Sequence, residues 1–125
     1  MKDELGSHGL DTHDDQHQPF VHCVREVEAG DVLPVGLRVG HEQEHPDAPD
    51  HFIDALRLYD GDRLLAEVRF APGLLGPAGG NPAISLNLVP EAGTLALRAE
   101  VHCTRHGDFR SETVEVRVNE AEADV

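Results

Sequence analysis

Residues 94–107 read TLALRAEVHCTRHG, and this stretch decides the fold of the chain. Its apolar residues alternate with polar and small ones in the period-2 pattern of a half-buried β-strand: Leu95, Leu97, Ala99 and Val101. In a continued strand, Cys103 and His106 would point to opposite faces, about 10 Å apart along the chain. The two side chains can serve one site only if the chain leaves the strand between them. Gly107 permits such a turn because glycine tolerates positive φ.

Similar short apolar segments recur along the rest of the chain, at 17–27, 32–39, 52–59, 64–70, 84–88 and 114–118. Turn residues rich in Gly, Pro and Asp separate them, and no long helical pattern is present. About seven short strands without a helix predict an all-β chain folded as an antiparallel β-sandwich. Pro34 lacks a backbone donor, so we expect segment 32–39 to form an edge strand.

The length of 125 residues suits one domain with one core. Residues 1–16 are polar and acidic, contain His8 and His13 and show no periodicity, so they are predicted to be a flexible tail. The sandwich domain is expected to span residues 17–119, followed by an acidic C-terminal tail at 120–125.

The charge balance excludes several classes of partner. Ten basic against 24 acidic residues give a formal net charge of −14, which disfavours nucleic acid and anionic membrane surfaces. No apolar stretch is long enough to cross a membrane, and the N-terminal residues lack the apolar region of a signal peptide. A cytoplasmic location is therefore expected. The two cysteines fit either one disulfide or a ligand role for one of them.

Five soft or borderline ligands flank Pro or Gly at predicted strand ends: His17, His45, His51, Cys103 and His106. Pro46 and Pro49 exclude regular structure around two of them, so His45 and His51 can converge in a loop. Mixed imidazole and thiolate ligands suit Fe, Cu or Zn rather than Ca or Mg, and five exceed a tetrahedral zinc site. Five ligands indicate an iron with one octahedral position open. The alternative is a set of ordinary surface histidines with a buried free cysteine.

The order and spacing of these residues resemble a known family. His17-x-Pro-x-Val, His45-Pro-x4-His51 and Cys103-x-x-His106-Gly107 are similar to motifs of the superoxide reductases, which comprise neelaredoxin and the catalytic domain of desulfoferrodoxin. Residues 28–53 are similar to the family's strand and metal loop, and the resemblance covers roughly residues 15–118. No cysteine precedes Cys23, so the four-cysteine centre of desulfoferrodoxin has no counterpart, which indicates the single-iron-centre type.

The resemblance implies an immunoglobulin-like β-sandwich that holds a mononuclear non-haem iron cycling between Fe2+ and Fe3+. By carry-over, His17, His45, His51 and His106 are the equatorial ligands, and Cys103 is the axial thiolate opposite the open position. The implied activity is the reduction of superoxide to hydrogen peroxide, with a rubredoxin-like protein as electron donor and a possible homo-oligomer.

Two positions depart from the family's pattern. Many members carry Glu-Lys before the first histidine ligand, where this chain has Asp15 and Gln16. The shorter Asp15 and the uncharged Gln16 would alter the contact with the iron and the attraction of superoxide. Arg105 is a candidate to compensate for the missing lysine. These departures leave open a non-catalytic iron-binding or electron-transfer module, and a plain sandwich adaptor resembling sulfur-carrier partner domains. Cys23 is expected to be a packed core thiol.

Overall fold

The structure is a computed structural model that describes residues 17–40, 45–74 and 81–121. These residues form nine β-strands and no helix: β1 (Pro19–His22), β2 (Glu26–Glu28), β3 (Leu33–Val39), β4 (Ile53–Asp60), β5 (Arg63–Arg69), β6 (Ala83–Leu88), β7 (Gly93–Cys103), β8 (Gly107–Arg110) and β9 (Val114–Asn119). The expected flexible tail and the last four residues of the chain lie outside the described residues, as do Asp15, Gln16 and His41.

The strands form two sheets. One has the order β1-β3-β6, and the other has the order β2-β9-β7-β4-β5 with β8 paired to the end of β7. Every pairing is antiparallel except the short parallel contact of β2 with β9. The predicted all-β sandwich is confirmed, with nine strands in place of about seven. The apolar segment 17–27 divides into β1 and β2, and the polar segment after Gly107 forms β8.

Period-2 alternation explains how the two sheets bury a common core. In β3 the residues Leu33, Val35, Leu37 and Val39 are buried while those between them are not. They pack against the buried residues of β4, β7 and β9, among them Leu56, Leu97 and Val116. Each such side chain contributes about 1.5–3 kcal/mol of transfer free energy, which is enough to fix which face of each strand points inward.

The expectation that Pro34 marks an edge strand is wrong, because β3 is the central strand of its sheet. Pro34 is opposite Asn87 of β6, whereas pairing with β1 begins only at Gly36. The first residues of β3 therefore have a neighbour on one side only. A proline is tolerated there because no strand on the other side requires its missing N–H.

The pairings bring one set of strand ends together. The start of β1 pairs with the end of β3 (Pro19 with Val39), and the start of β4 pairs with the end of β7 (Ile53 with Cys103). Gly40 N–H also donates to the Gln18 carbonyl at 2.8 Å. The loops at this end carry all five candidate ligands. Among the residues described, no helix has the length and apolar character needed to span a membrane.

Candidate metal centre

The Cys103–His106 segment leaves the strand as its sequence predicts. Strand β7 ends at Cys103, three residues turn, and Gly107 pairs back with Cys103 at φ 88°. Thr104 N–H donates to the Phe52 carbonyl at 3.0 Å, and Phe52 N–H donates to Thr104 Oγ1 at 3.1 Å. These two bonds join the turn to the residue that follows His51. The turn and the proline-rich loop therefore form one unit.

The proline-rich loop closes on itself just before β4. Ala48 N–H donates to the His51 carbonyl at 3.0 Å, and His51 N–H donates to the Ala48 carbonyl at 2.9 Å. This tight pairing allows His51 to fold back toward His45, which an extended strand would place about 20 Å away. His51 Nε2 is buried without a hydrogen-bond partner among the described residues. A buried nitrogen of this kind needs a partner, and a metal ion is one.

His45 is held at both its backbone and its ring. Its N–H donates to Asn81 Oδ1 at 2.6 Å, and its Nδ1 lies 2.7 Å from the Pro46 carbonyl oxygen. A carbonyl only accepts, so Nδ1 carries the proton and Nε2 is left with its lone pair. His45 Nε2 lies 3.0 Å from His17 Nε2 and 3.2 Å from Cys103 Sγ. This is how proteins commonly fix the tautomer of a metal-binding histidine.

His17 is oriented by an aromatic neighbour. Its ring stacks on Phe109 with centroids 4.3 Å apart and planes inclined by 13°. Phe109 lies in β8, two residues after the Gly107 turn, so β8 supplies a flat support for the His17 imidazole. The histidine itself is buried, with 6% of its surface exposed.

The four imidazoles form a closed ring of neighbours in the order His17, His45, His51, His106. Consecutive ring centroids lie 4.7, 4.7, 4.9 and 5.1 Å apart, and consecutive planes are inclined by 72–80°. One ligand atom each from His17, His45, His51 and Cys103 lies within 4.8 Å of all the others. His106 Nδ1 is 3.7 Å from Cys103 Sγ. Four of the five predicted ligands therefore have ligand atoms within mutual reach, and His106 lies beside them through its contacts with His17, His51 and Cys103.

The distances suit donors around a single ion. Two nitrogens each about 2.1 Å from one ion and at right angles are about 3.0 Å apart, and a nitrogen and a thiolate sulfur are about 3.1 Å apart. The observed 3.0 Å and 3.2 Å at His45 Nε2 agree with these values. Four imidazoles in a ring with one sulfur exceed a tetrahedral site and fit an octahedral ion such as iron with one position left over.

The electrostatics of the cluster keep two of its imidazoles neutral. Burial lowers the pKa of His45, and the neighbouring histidines lower it further against the opposing hydrogen bond to Pro46. Loss of solvent, followed by the charges of His106 and Arg105, lowers the pKa of His51. Neutral imidazole is the form that binds a metal, so the protein arranges these ligands in their binding state.

Two supporting residues, Phe109 and Asn81, were not expected from the sequence. Phe109 is far from His17 along the chain, and Asn81 is 36 residues from His45. The only local signal for Asn81 is its place before Pro82 at the end of a Gly/Pro-rich loop. Cys23, by contrast, is free and packs against the core as expected, and burial raises the pKa of its thiol.

Comparisons with known proteins agree with this geometry. The family model for desulfoferrodoxin matches residues 9–112. A protein of Methanocaldococcus jannaschii, provisionally named a superoxide reductase, is 32% identical over 100 residues, which cover 78% of this chain and 79% of that protein.

Solved structures show the same fold. The superoxide reductase (neelaredoxin) of Ignicoccus hospitalis is 25% identical with a TM-score of 0.63, covering 81% of this chain and 80% of that one. The neelaredoxin of Archaeoglobus fulgidus in its reduced form is 21% identical with a TM-score of 0.65, covering 86% and 95%. A fibronectin(III)-like module of Clostridium thermocellum CbhA also aligns, at 15% identity and a TM-score of 0.57 over 85% and 99%. The last match shows that this sandwich fold is similar to that of a fibronectin(III)-like module.

Proposed function

The chain belongs to the desulfoferrodoxin family, and from that membership we propose that it is a superoxide reductase with a mononuclear non-haem iron. His17, His45, His51, His106 and Cys103 are the proposed ligands. The observation that supports this most strongly is the closed ring of four imidazoles around a position that the buried Cys103 sulfur also reaches. The relative and the neelaredoxins described above bear the same activity in their names.

The proposed reaction adds one electron and two protons to superoxide and yields hydrogen peroxide. Iron held by these residues would supply the electron by passing from Fe2+ to Fe3+, and an external donor would return it. Cys103 would contribute a thiolate ligand, which donates electron density and favours the oxidised ion. Imidazole ligands, unlike carboxylates, would add no negative charge that repels a small anion.

The two sides of the cluster differ in their access to solvent. Cys103 is fully buried at the end of β7, whereas His106 is exposed in the turn that follows. The sulfur is therefore protected from oxidants and from competing protons, while the histidine side is open to water. A small anion and the two protons are therefore proposed to arrive from the side of His106.

The charge of the chain opposes the approach of superoxide, and Arg105 offsets this locally. The net charge of −14 repels an anion at long range. Arg105 is exposed in the turn between Cys103 and His106. Its positive charge is one of the causes that lower the pKa of His51, so this charge acts on the cluster. We propose that Arg105 is the cation that attracts the substrate in this chain. Asp15 and Gln16, which occupy the family's Glu-Lys positions, lie outside the described residues, and their effect on the contact with iron and on the attraction of superoxide stays a prediction.

The electron donor and the location are part of the same proposal. A rubredoxin-like protein is the proposed donor, because membership of the family implies it and the reaction needs one electron at a time. We propose a cytoplasmic location, supported by the free state of both cysteines.

The test is the reaction of the iron-loaded protein with superoxide. We expect a visible thiolate-to-iron charge-transfer band in the ferric protein. The ferrous protein should lack this band and should gain it as superoxide oxidises the iron and is consumed to peroxide. The Cys103→Ser variant should lose the band, because Cys103 is the proposed sulfur ligand. The Cys23→Ser variant should keep the band. It is the matched control, since it also removes a free thiol from the chain. A ferric band without any reaction of the ferrous protein with superoxide would instead favour the non-catalytic electron-transfer module.

A further inference from the structure

The metal loop is tied to a second loop that carries none of the proposed ligands. His45 N–H donates to Asn81 Oδ1 at 2.6 Å, which joins the loop after β3 to the residues just before β6. Two residues further on, both carboxylate oxygens of Asp47 accept from Gly73 N–H, at 2.9 and 3.1 Å. The Gly/Pro-rich loop before β6 therefore holds the metal loop at two points on its outer side.

The hydrogen bond to Asn81 acts at the most constrained ligand of the cluster. His45 Nε2 is the atom closest both to another imidazole nitrogen, at 3.0 Å, and to the Cys103 sulfur, at 3.2 Å. A small rotation of the His45 backbone changes both distances together. Its ring is fixed relative to its own backbone by the Nδ1 contact with Pro46, so the direction of Nε2 follows the direction of the backbone.

On the side that faces the second loop, close packing does not fix the direction of the His45 backbone. A small cavity separates the two loops there, with His45, Asn81 and Leu74 among its lining residues. Val39 N–H donates to the Pro82 carbonyl at 3.3 Å, which anchors the chain next to Asn81. The Asn81 side chain lines the cavity and accepts the His45 backbone N–H from the facing loop.

We propose that Asn81 is a positioning residue for the metal centre: by accepting the His45 backbone N–H, it orients the His45 imidazole toward the shared metal position. This inference rests on the proposed metal centre and adds a residue that touches no metal and no substrate. A partner that hydrogen-bonds the second ring nitrogen of a metal-binding histidine is worth about 10- to 100-fold in metal affinity. Asn81 acts one step further out, through the His45 backbone, so Asn81→Ala should weaken metal binding by about 10-fold, the lower end of that range.

The experiment uses the full chain loaded with iron and, separately, with Co2+. Affinity is measured by competition with a chelator, and the thiolate-to-metal band is recorded in Asn81→Ala, Asn81→Asp and Asn87→Ala. Asn87 is the matched control because it is an exposed asparagine on β6, a few residues further along the same segment. Thermal unfolding of each metal-free variant measures the loss of stability alone.

A positioning role predicts three results together. Asn81→Ala loses affinity and shifts the charge-transfer band, Asn81→Asp keeps an acceptor oxygen and restores most of the affinity, and Asn87→Ala matches the wild type. If Asn81→Ala lowers only the unfolding temperature of the metal-free chain, with band and affinity unchanged, Asn81 has a purely structural role and the inference is wrong. A wild-type chain that binds metal without reacting with superoxide contradicts the proposed activity and leaves the Asn81 result decisive. A wild-type chain that binds no metal overturns both.

Discussion

Replacing Phe109 with leucine should weaken metal binding through His17. Phe109 stacks on the His17 ring at 4.3 Å with nearly parallel planes, and leucine keeps the apolar bulk without the flat face. Aromatic stacking is worth about 0.5–1.5 kcal/mol beyond the burial of area, so the affinity for the metal should fall about 2- to 13-fold. The fall arises because the His17 ring gains freedom in the metal-free protein, and that freedom must be lost again on binding.

The assay is a competition titration with a chelator, supported by thermal unfolding of the metal-free chain. Phe70→Leu is the matched control, because Phe70 is also partly buried against the core and follows β5. Both variants should lose stability through the smaller side chain. Only Phe109→Leu should lose metal affinity. Equal affinities for the two variants would show that the stacked contact does not orient the ligand, and would refute the reasoning.

Three further outcomes follow from the site. The pKa of His45 and of His51 lies below the ordinary value of 6.5, so below that pH the unfolded chain takes up protons that the folded chain does not. Urea unfolding of the metal-free protein should therefore show stability falling as the pH is lowered through 6.5 and below. A flat profile in that range would contradict the neutral-imidazole account. Arg105→Glu should lower the second-order rate constant for the reaction with superoxide at low ionic strength. The control is Arg63→Glu, an equal change of charge where β5 begins after the exposed β4–β5 turn, which should lower the rate less. Equal rates for the two variants would exclude local attraction by Arg105. Gly107→Ala should lower the free energy of chemical unfolding by about 1–2 kcal/mol, because φ is +88° at this position. The added Cβ would meet no atom within 4 Å, so the loss would come from the backbone alone. An unchanged stability would mean that the turn relaxes.

The sequence is most informative where structure is local. The end of β7 at Cys103 and the turn before Gly107 follow from alternation, a three-residue spacing and a glycine, all within a dozen residues. The convergence of His45 and His51 follows in the same way from two prolines that exclude a strand. Periodicity likewise predicts most of the strands and the all-β class, because each apolar face must be buried.

What depends on partners distant in the chain could not be predicted from periodicity. Pro34 indicates a missing donor, but only the pairing of β1 from Gly36 onward shows that half of a central strand lacks a neighbour. Strand β8 is four residues long and mostly polar, so nothing in its own sequence marks it as a partner of β7. The same limit applies to Phe109 and Asn81, whose roles depend on which loops meet at one end of the sandwich.

The convergence of the ligands was expected through family resemblance as much as through physics. Taken singly, each histidine is compatible with an ordinary surface residue, and the spacing Cys-x-x-His is common. The order of five ligand types along the chain carried the prediction, and the folded geometry adds two features that order alone lacks. These are the fixed tautomer of His45 and a His51 Nε2 that is buried without a hydrogen-bond partner in the part of the chain that the structure describes.

X-ray absorption at the iron edge tests the central claim most directly, because it counts the donors around the ion. The iron-loaded wild-type protein should show four nitrogen donors and one sulfur donor at a single iron, and Cys103→Ser should lose the sulfur while Cys23→Ser retains it. Iron surrounded by oxygen and nitrogen alone in the wild type, or sulfur that persists in Cys103→Ser, would contradict the account.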